Sequence, residues 1–299
     1  MISILISTYN YDAQKLVHDL NALAASEHVE HEIIIGNDCS TVHTDWMDTC
    51  AAWPNVIIIQ PEHNLGRAAL RNYMARSSRG DWLLFIDCDA QVQPDFSLSA
   101  YLQAAQQAPV VCGGLRHPLH NPNPEATLRY KYERATDRKR SAQTRMKAPY
   151  RSFTTFNVLI KKSVFDEIGG FDRDCKEYGY EDVLFGVELA HHNVNILHID
   201  NYLIHMGLDS NSVFLQKTEV SLHTLNQLKG KLDGWSTIVN TAQMIERLRL
   251  RPVVTLVFRW IRPFLKRNLL SRHPSLWVFQ CYKLCYFLTL ASPSMHETS

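Results

Sequence analysis

The first 90 residues alternate short runs of apolar residues with longer segments of helical spacing. Ile2 to Ser7, Glu32 to Gly36, Val56 to Gln60 and Trp82 to Ile86 are dominated by Ile, Val and Leu, as expected of strands covered on both faces. Between them, Asp12 to Ala25, Thr44 to Ala52 and Arg67 to Ser77 carry apolar residues at helical intervals. Strand, helix, strand in this order implies a parallel sheet built from right-handed crossovers. Functional groups of such sheets collect at the carboxyl ends of the strands, beside the point where strand order reverses.

Regularity weakens further on. Pro118 to Pro124 is a turn-rich break, and Glu125 to Lys147 is a basic, helical or mobile stretch containing Asp137-Arg138-Lys139-Arg140. A strand is expected from Thr155 to Ile160, then a helix ending at Gly169-Gly170 and another opening near Glu181. From about Ser210 the pattern is helical. With 299 residues, 45% apolar and 20% charged, the chain supports a packed core and excludes disordered or collagen-like classes. A formal net charge of +1 speaks against a nucleic-acid partner.

Seven cysteines, Cys39, Cys50, Cys88, Cys112, Cys175, Cys281 and Cys285, are scattered without a Cys-x-x-Cys pair, the pattern of reduced thiols in a cytoplasmic protein. Met1 to Ser7 lacks a basic leader and a cleavage site, so it reads as a first strand and not a signal peptide. No stretch reaches the roughly 18 uninterrupted apolar residues a spanning helix needs.

The residues that follow the strands carry the chemistry. Asp87-Cys88-Asp89 places two carboxylates just past a buried run. That concentration of charge is costly without a cation, and hard oxygen ligands suit Mg²⁺ or Mn²⁺ on a diphosphate; the alternative is a solvated turn. Ser7-Thr8-Tyr9-Asn10 and Asn37-Asp38-Cys39-Ser40-Thr41 offer groups to hold a base and ribose, or simply cap helices. Asn64-Leu65-Gly66-Arg67, with Arg71 and Asn72, brings a helix N-terminus and two cations toward the same edge, where a phosphate, a carboxylate or surface ion pairs would be their partners.

A second constellation comprises Gly169-Gly170-Phe171-Asp172 and Glu177-Tyr178-Gly179-Tyr180-Glu181-Asp182. Acids at a helix start are favoured by its dipole alone. Alternatively, Asp182 or Glu181 acts as a general base, because a sugar hydroxyl is a poor nucleophile until a carboxylate takes its proton.

Thr8-Tyr9-Asn10, Asn37 to Thr41, Asn64-x-Gly66-Arg67 with Arg71-Asn72, Asp87-Cys88-Asp89, Gly169 to Asp172 and Gly179 to Asp182 together resemble the family 2 glycosyltransferases of GT-A fold, over about residues 1 to 210. Gly169 to Leu189 also resembles part of the galactosyltransferase domain. The resemblance implies an α/β fold with a Rossmann-like mixed sheet, a catalytic domain over 1–210 (1–115 binding the nucleotide sugar, 116–210 the acceptor) and a helical extension over 211–299. It implies an inverting, metal-dependent transferase acting on a nucleotide-diphosphate sugar of the UDP class; the acceptor expected is a hydroxyl of a surface polysaccharide, or of a lipid-linked glycan if the basic tail binds a membrane. Thr8, Tyr9, Asn10, Asp38, Arg67, Arg71 and Asp87 would bind the donor. Asp89, with Asp87 and His205, would hold Mn²⁺ or Mg²⁺; His205 fits this place better than His198, with a satisfied core histidine as the alternative. Asp182 would be the base and Glu181 would orient the acceptor.

A nucleotidyltransferase of similar fold would show a Gly-rich basic loop after strand one, which Thr8-Tyr9-Asn10-Tyr11-Asp12 is not; a noncatalytic glycan- or lipid-binding scaffold stays open. Charge is unevenly spread: residues 1–110 hold 5 basic and 13 acidic residues, and residues 246–299 hold 9 basic and 2 acidic. Basic and apolar residues mixed over 246–283 describe an interfacial helix on anionic lipid, peripheral on the inner face of the cytoplasmic membrane, interrupted at Pro252 and Pro263. The alternative is a helical subdomain packed on the core.

Overall fold

The computed structural model describes residues 1–137, 140–172, 175 and 179–290. Glu177 and Tyr178 of the second constellation, Arg138 and Lys139 of the basic stretch, and the tail beyond 290 lie outside the described residues.

In chain order the first part runs β1 (Ile2–Thr8), α1 (Gln14–Ser26), β2 (His31–Asn37), α2 (Asp45–Ala51), β3 (Val56–Ile59), α3 (Arg67–Ser77) and β4 (Trp82–Asp87). Next come β5 (Ala90–Gln91), α4 (Leu98–Ala104), β6 (Val110–Cys112), β7 (Leu115–Arg116), α5 (Thr127–Asp137) and α6 (Ala142–Arg145). Then follow β8 (Asn157–Lys161), α7 (Lys162–Glu167), α8 (Glu181–His191), β9 (Ile196–His198) and β10 (Leu203–His205). Four helices close the described chain: α9 (Asn211–Gln227), α10 (Thr237–Arg247), α11 (Arg251–Leu269) and α12 (Leu276–Thr289).

Seven strands form one sheet in the order β3-β2-β1-β4-β8-β6-β9. The four strands of the first 90 residues are mutually parallel, as their crossover helices require, whereas β8 runs antiparallel to both β4 and β6. Alternate residues of each central strand feed different cores. Ile4, Ile6, Ile33, Ile35, Leu84 and Ile86 join Val17, Leu20 and Trp46 in one cluster, while Leu5, Ile34, Leu83 and Phe85 join Met74, Phe165, Phe171 and Phe185 in another. This two-sided burial explains why the strands read as unbroken apolar runs. Each fully buried Ile or Leu stabilises by about 1.5–3 kcal/mol.

A separate small sheet, β5-β10-β7, pairs His205 with Ala90, the residue after Asp89. Its strands of two or three residues carry no periodic signal.

The described chain folds as two compact units. One comprises residues 1–118, 136–172, 175 and 181–207; the other comprises 119–135, 179–180 and 208–290. The second unit has its own core of Phe214, Leu215, Phe258, Leu269, Phe279 and Tyr282. Of the two interruptions expected, the one near Pro252 is found, since α10 ends at Arg247 and α11 starts at Arg251, whereas α11 has no break at Pro263. Pro252 sits in the first turn, where its missing N–H would have had no helical partner. At Pro263 the helix continues despite one lost backbone bond, its inner face held by buried Phe258 and Leu269. No helix among the described residues is long and apolar enough to cross a membrane.

Candidate active site

Parallel register brings the polar strand ends to one edge of the first unit: Ser7 lies opposite Asp87, and Thr8 opposite Asn37. β4 ends as β8 begins, with Ile86 opposite Asn157, so Thr154 and Thr155 before β8 reach the same edge.

The loops there are held by the side chains singled out from the sequence. Asn10, in the left-handed region, accepts from the backbone N–H of Thr41 and Val42, and its own N–H donates to Ser40 Oγ. The Asp38 carboxylate accepts from the N–H groups of Leu65 (2.7 Å) and Gly66 (3.0 Å) at the start of α3. Thr8 Oγ1 donates to the Tyr11 carbonyl. Thr8, Asn10 and Asp38 thus build the rim, whereas the Tyr9 ring is 55% exposed and free to stack.

Arg71 is 2% exposed, so the surface ion pair is excluded for it, and carboxylates are its partners. Its Nη2 donates to Asp87 Oδ1 at 2.6 Å, while Nη1 lies 3.7 Å from Glu181 Oε1 and 3.8 Å from Asp182 Oδ1. Nη1 makes no hydrogen bond in this position, an open donor between two acids. Arg67 is half exposed and its Nη1 is 3.8 Å from Glu181. Asp87, Glu181 and Asp182 thus surround the buried Arg71 guanidinium, with Arg67 a second cation beside Glu181.

The two acids of α8 differ in environment. Glu181 is buried; desolvation and the adjacent Asp182 hold its carboxyl above the ordinary glutamate value of 4.5, against the pull of Arg71 and Arg67. Asp182 is partly open and is held from behind: Thr155 Oγ1 donates to Oδ1 at 2.5 Å, and Thr154 Oγ1 and the Thr155 N–H donate to Oδ2 at 3.1 and 3.2 Å. Sequence reading missed this pair of threonines, because polar residues ahead of a strand give no pattern. Asn72 links the two motifs, exchanging amide bonds of 2.8 Å with the backbone of Phe171. Gly170 next to it has φ +74°, and a Cβ there would lie 2.5 Å from Asn72 Oδ1.

Glu181 has a consequence for stability. Its folded state keeps a proton that the unfolded chain releases near 4.5, so unfolding loses protons and stability falls as pH rises through that window. Glu181→Gln, which cannot ionise, is expected to flatten the fall of Tm from pH 4.5 toward neutrality in a melting series. Equal slopes for the two proteins would refute the burial cost.

Asp89 and His205 meet through the small sheet: Asp89 Oδ2 is 3.1 Å from His205 Nε2, and the Met206 N–H donates to the Asp89 carbonyl. That separation suits adjacent ligands of one ion with bonds of about 2.1 Å. A Cβ on Gly207 would overlap Asp89 Oδ2, so only glycine lets the carboxylate lie there. The Asp89 carboxylate and the His205 imidazole are donor types that fit Mn²⁺ or Mg²⁺, while Asp87 Oδ1 is given to Arg71. The Cys88 thiol between the acids is pushed up to about 12 by burial and by Asp89 and Asp87, so it stays protonated. Tyr11, raised to about 12 by burial and then by Asp89, also faces this charge and was not singled out from the sequence.

The two histidines weighed for this place are separated. His198 Nε2 donates to the Pro149 carbonyl (3.0 Å) and its Nδ1 accepts from Arg145 Nη1 (2.7 Å). Burial lowers it to about 4, so it is a neutral core residue. His117, also unforeseen, packs its ring edge-on to His205 at 5.8 Å and bonds Asp137 Oδ1 at 2.6 Å through Nδ1. It anchors one side of the His205 ring.

Residues 3–169 match the family model described as Glycosyl transferase family 2, and residues 138–207 match the one described as N-terminal domain of galactosyltransferase. An uncharacterized glycosyltransferase of Haemophilus influenzae is 36% identical over 109 residues, 36% of each chain. A validoxylamine A glucosyltransferase of Streptomyces hygroscopicus subsp. limoneus is 27% identical over 225 residues, 65% of this chain and 49% of that one. The chain thus spans half or less of the length of these curated relatives. Among solved structures, a mannosyltransferase from Pyrobaculum calidifontis in complex with GDP-Man and Mn²⁺ superposes with TM-score 0.58 at 11% identity, covering 96% of this chain and 86% of that one. The fold is GT-A.

Proposed function

Because the chain belongs to glycosyl transferase family 2, we propose that it transfers a sugar, with inversion, from a nucleotide-diphosphate sugar of the UDP class to a hydroxyl of a surface polysaccharide or lipid-linked glycan. One observation carries this reading. Arg71 links Asp87, two residues before the Asp89–His205 pair, to the threonine-backed Asp182, the arrangement that a cation site and a base sharing one reaction space would need.

Asp182 takes the proton of the acceptor hydroxyl as that oxygen bonds the anomeric carbon and the bond to the diphosphate breaks. Thr154 and Thr155 fix the carboxylate so that its remaining lone pairs face the acceptor. Glu181 and Arg71 orient the neighbouring hydroxyls, and Tyr9 stacks on the base, with Thr8, Asn10, Asp38 and Arg67 shaping the donor pocket. Asp89, Asp87 and His205 would hold the metal, which when bound offsets charge on the leaving diphosphate. The imidazole in this set favours Mn²⁺ over Mg²⁺. Incubating the protein with a panel of sugar nucleotides and Mn²⁺ tests the reading: nucleoside diphosphate should be released from one donor. A folded protein that releases none from any donor would be a scaffold.

The acceptor's setting is read from α11. Val253, Leu256, Val257, Trp260 and Phe264 recur at helical spacing on its outer face, with Trp260 77% and Phe264 73% exposed. Arg249, Arg259, Arg267 and Arg272 accompany them. Apolar residues among arginines suit an anionic lipid surface, whereas two copies meeting through this face would oppose like charges. Co-sedimentation with vesicles containing phosphatidylglycerol should exceed that with phosphatidylcholine alone, and Trp260→Glu with Phe264→Glu should abolish the difference. Binding unchanged by those substitutions would refute a membrane role for α11 and, with it, the case for a peripheral cytoplasmic location.

A further inference from the structure

The second unit contains a cavity of about 180 Å³ that the proposed reaction does not use. Its walls are aromatic: Tyr132, Tyr180, Phe214 and Phe279. Thr218 and Ser221 add hydroxyls whose hydrogens are committed to carbonyls of their own helix, which leaves their oxygens as acceptors facing the space. The volume corresponds to roughly six waters at about 30 Å³ each, room for one sugar ring.

Two lysines line this space, and they differ. Lys217 Nζ is 2.8 and 2.9 Å from the two oxygens of Asp209, so its charge is matched. Lys283 makes no ion pair among the described residues; its Nζ lies over the rings of Phe279 (4.8 Å) and Tyr132 (5.1 Å). Ring faces attract a cation less strongly than a carboxylate does. Burial lowers this ammonium to about 8, with no charged neighbour among the described residues compensating. Among the described residues the cavity therefore holds one cation without a paired anion.

Tyr180 ties the cavity to the catalytic pair. It stands immediately before Glu181, two residues from Asp182, in the left-handed region at φ +69°, a conformation bulky residues seldom adopt. Gly179 before it has φ +106°, and a Cβ there would come within 2.8 Å of Ser221 Cβ. The backbone is thus bent and pressed onto α9 where Tyr180 joins the cavity wall. Aromatic faces carry negative charge that suits the C–H face of a pyranose.

We propose that this cavity is an acceptor subsite that takes one sugar unit bearing a carboxylate or phosphate, its ring against Tyr180 and its anion on Lys283. The proposal rests on the transferase reading above, and its test separates the two. The full chain is titrated calorimetrically with glucuronic acid, glucose 6-phosphate and glucose. At least one of the charged sugars should bind at least about tenfold more tightly than glucose, and Lys283→Met, which keeps the stem and removes the charge, should erase that difference with the thermal midpoint preserved. The arm that responds distinguishes carboxylate from phosphate. Equal binding of all three sugars, or discrimination that survives in Lys283→Met, overturns the proposal. Donor release measured on the same preparation keeps the readings apart. Nucleoside diphosphate released without charged-sugar preference removes the subsite alone; charged-sugar preference without release from any donor removes the acceptor role.

Discussion

Asp182→Asn is expected to lower transfer by at least about a hundredfold, the scale on which a positioned base contributes, while donor affinity stays within about twofold. The substitution is sterically quiet. An amide oxygen can accept from Thr154 Oγ1 and the Thr155 N–H, and its NH₂ can donate to Thr155 Oγ1, so the side chain keeps its place. Arg71 keeps Asp87 as its counter-charge. What disappears is the lone pair that, in the proposed mechanism, would take the acceptor's proton. Steady-state transfer, paired with calorimetric donor binding, checks both halves of this expectation. Full activity in Asp182→Asn would remove the base assignment. Loss of donor binding would show that Asp182 acts on the donor instead.

The second large effect is expected at Asp89. Asp89→Ala should weaken Mn²⁺ binding by more than the about 10–100-fold that loss of an outer-shell partner costs, read directly by the paramagnetic resonance of free Mn²⁺ without any turnover. Gly207→Ala should have the same sign, because its methyl group would displace the Asp89 carboxylate from beside His205. The Gly207 variant keeps every donor atom, so its defect would report position alone. Unaltered Mn²⁺ affinity in both variants would take Asp89 out of the cation site. His198→Ala should leave Mn²⁺ binding unaffected, since both its ring nitrogens are held by Pro149 and Arg145.

Much of this edge is legible without coordinates. Four strands covered on both faces must be continuous and apolar, so β1 to β4 stand out, and α3 spans Arg67–Ser77 in the fold as it does in the sequence pattern. The acids of Asp87-Cys88-Asp89 stand out because charge directly after such a run is costly. Arg71 does not advertise its burial: an arginine at helical spacing reads as a surface residue until three acids from two other elements are seen around it. Nor does the path of α11 through Pro263 show locally, because the packing of Phe258 and Leu269 offsets what the proline costs.

The sequence by itself determined the chemistry on offer: the parallel frame, the family, the two acidic motifs and the basic tail. These are local properties, carried by residue type and spacing along one stretch of chain. Only the tertiary structure decided which groups meet. Strands of two and three residues set His205 beside Asp89, an antiparallel β8 sets Thr154 and Thr155 behind Asp182, and a left-handed Tyr180 closes a cavity onto Lys283. Each of these pairings joins residues far apart in the chain, and distance along the chain leaves no periodicity from which a contact could be read.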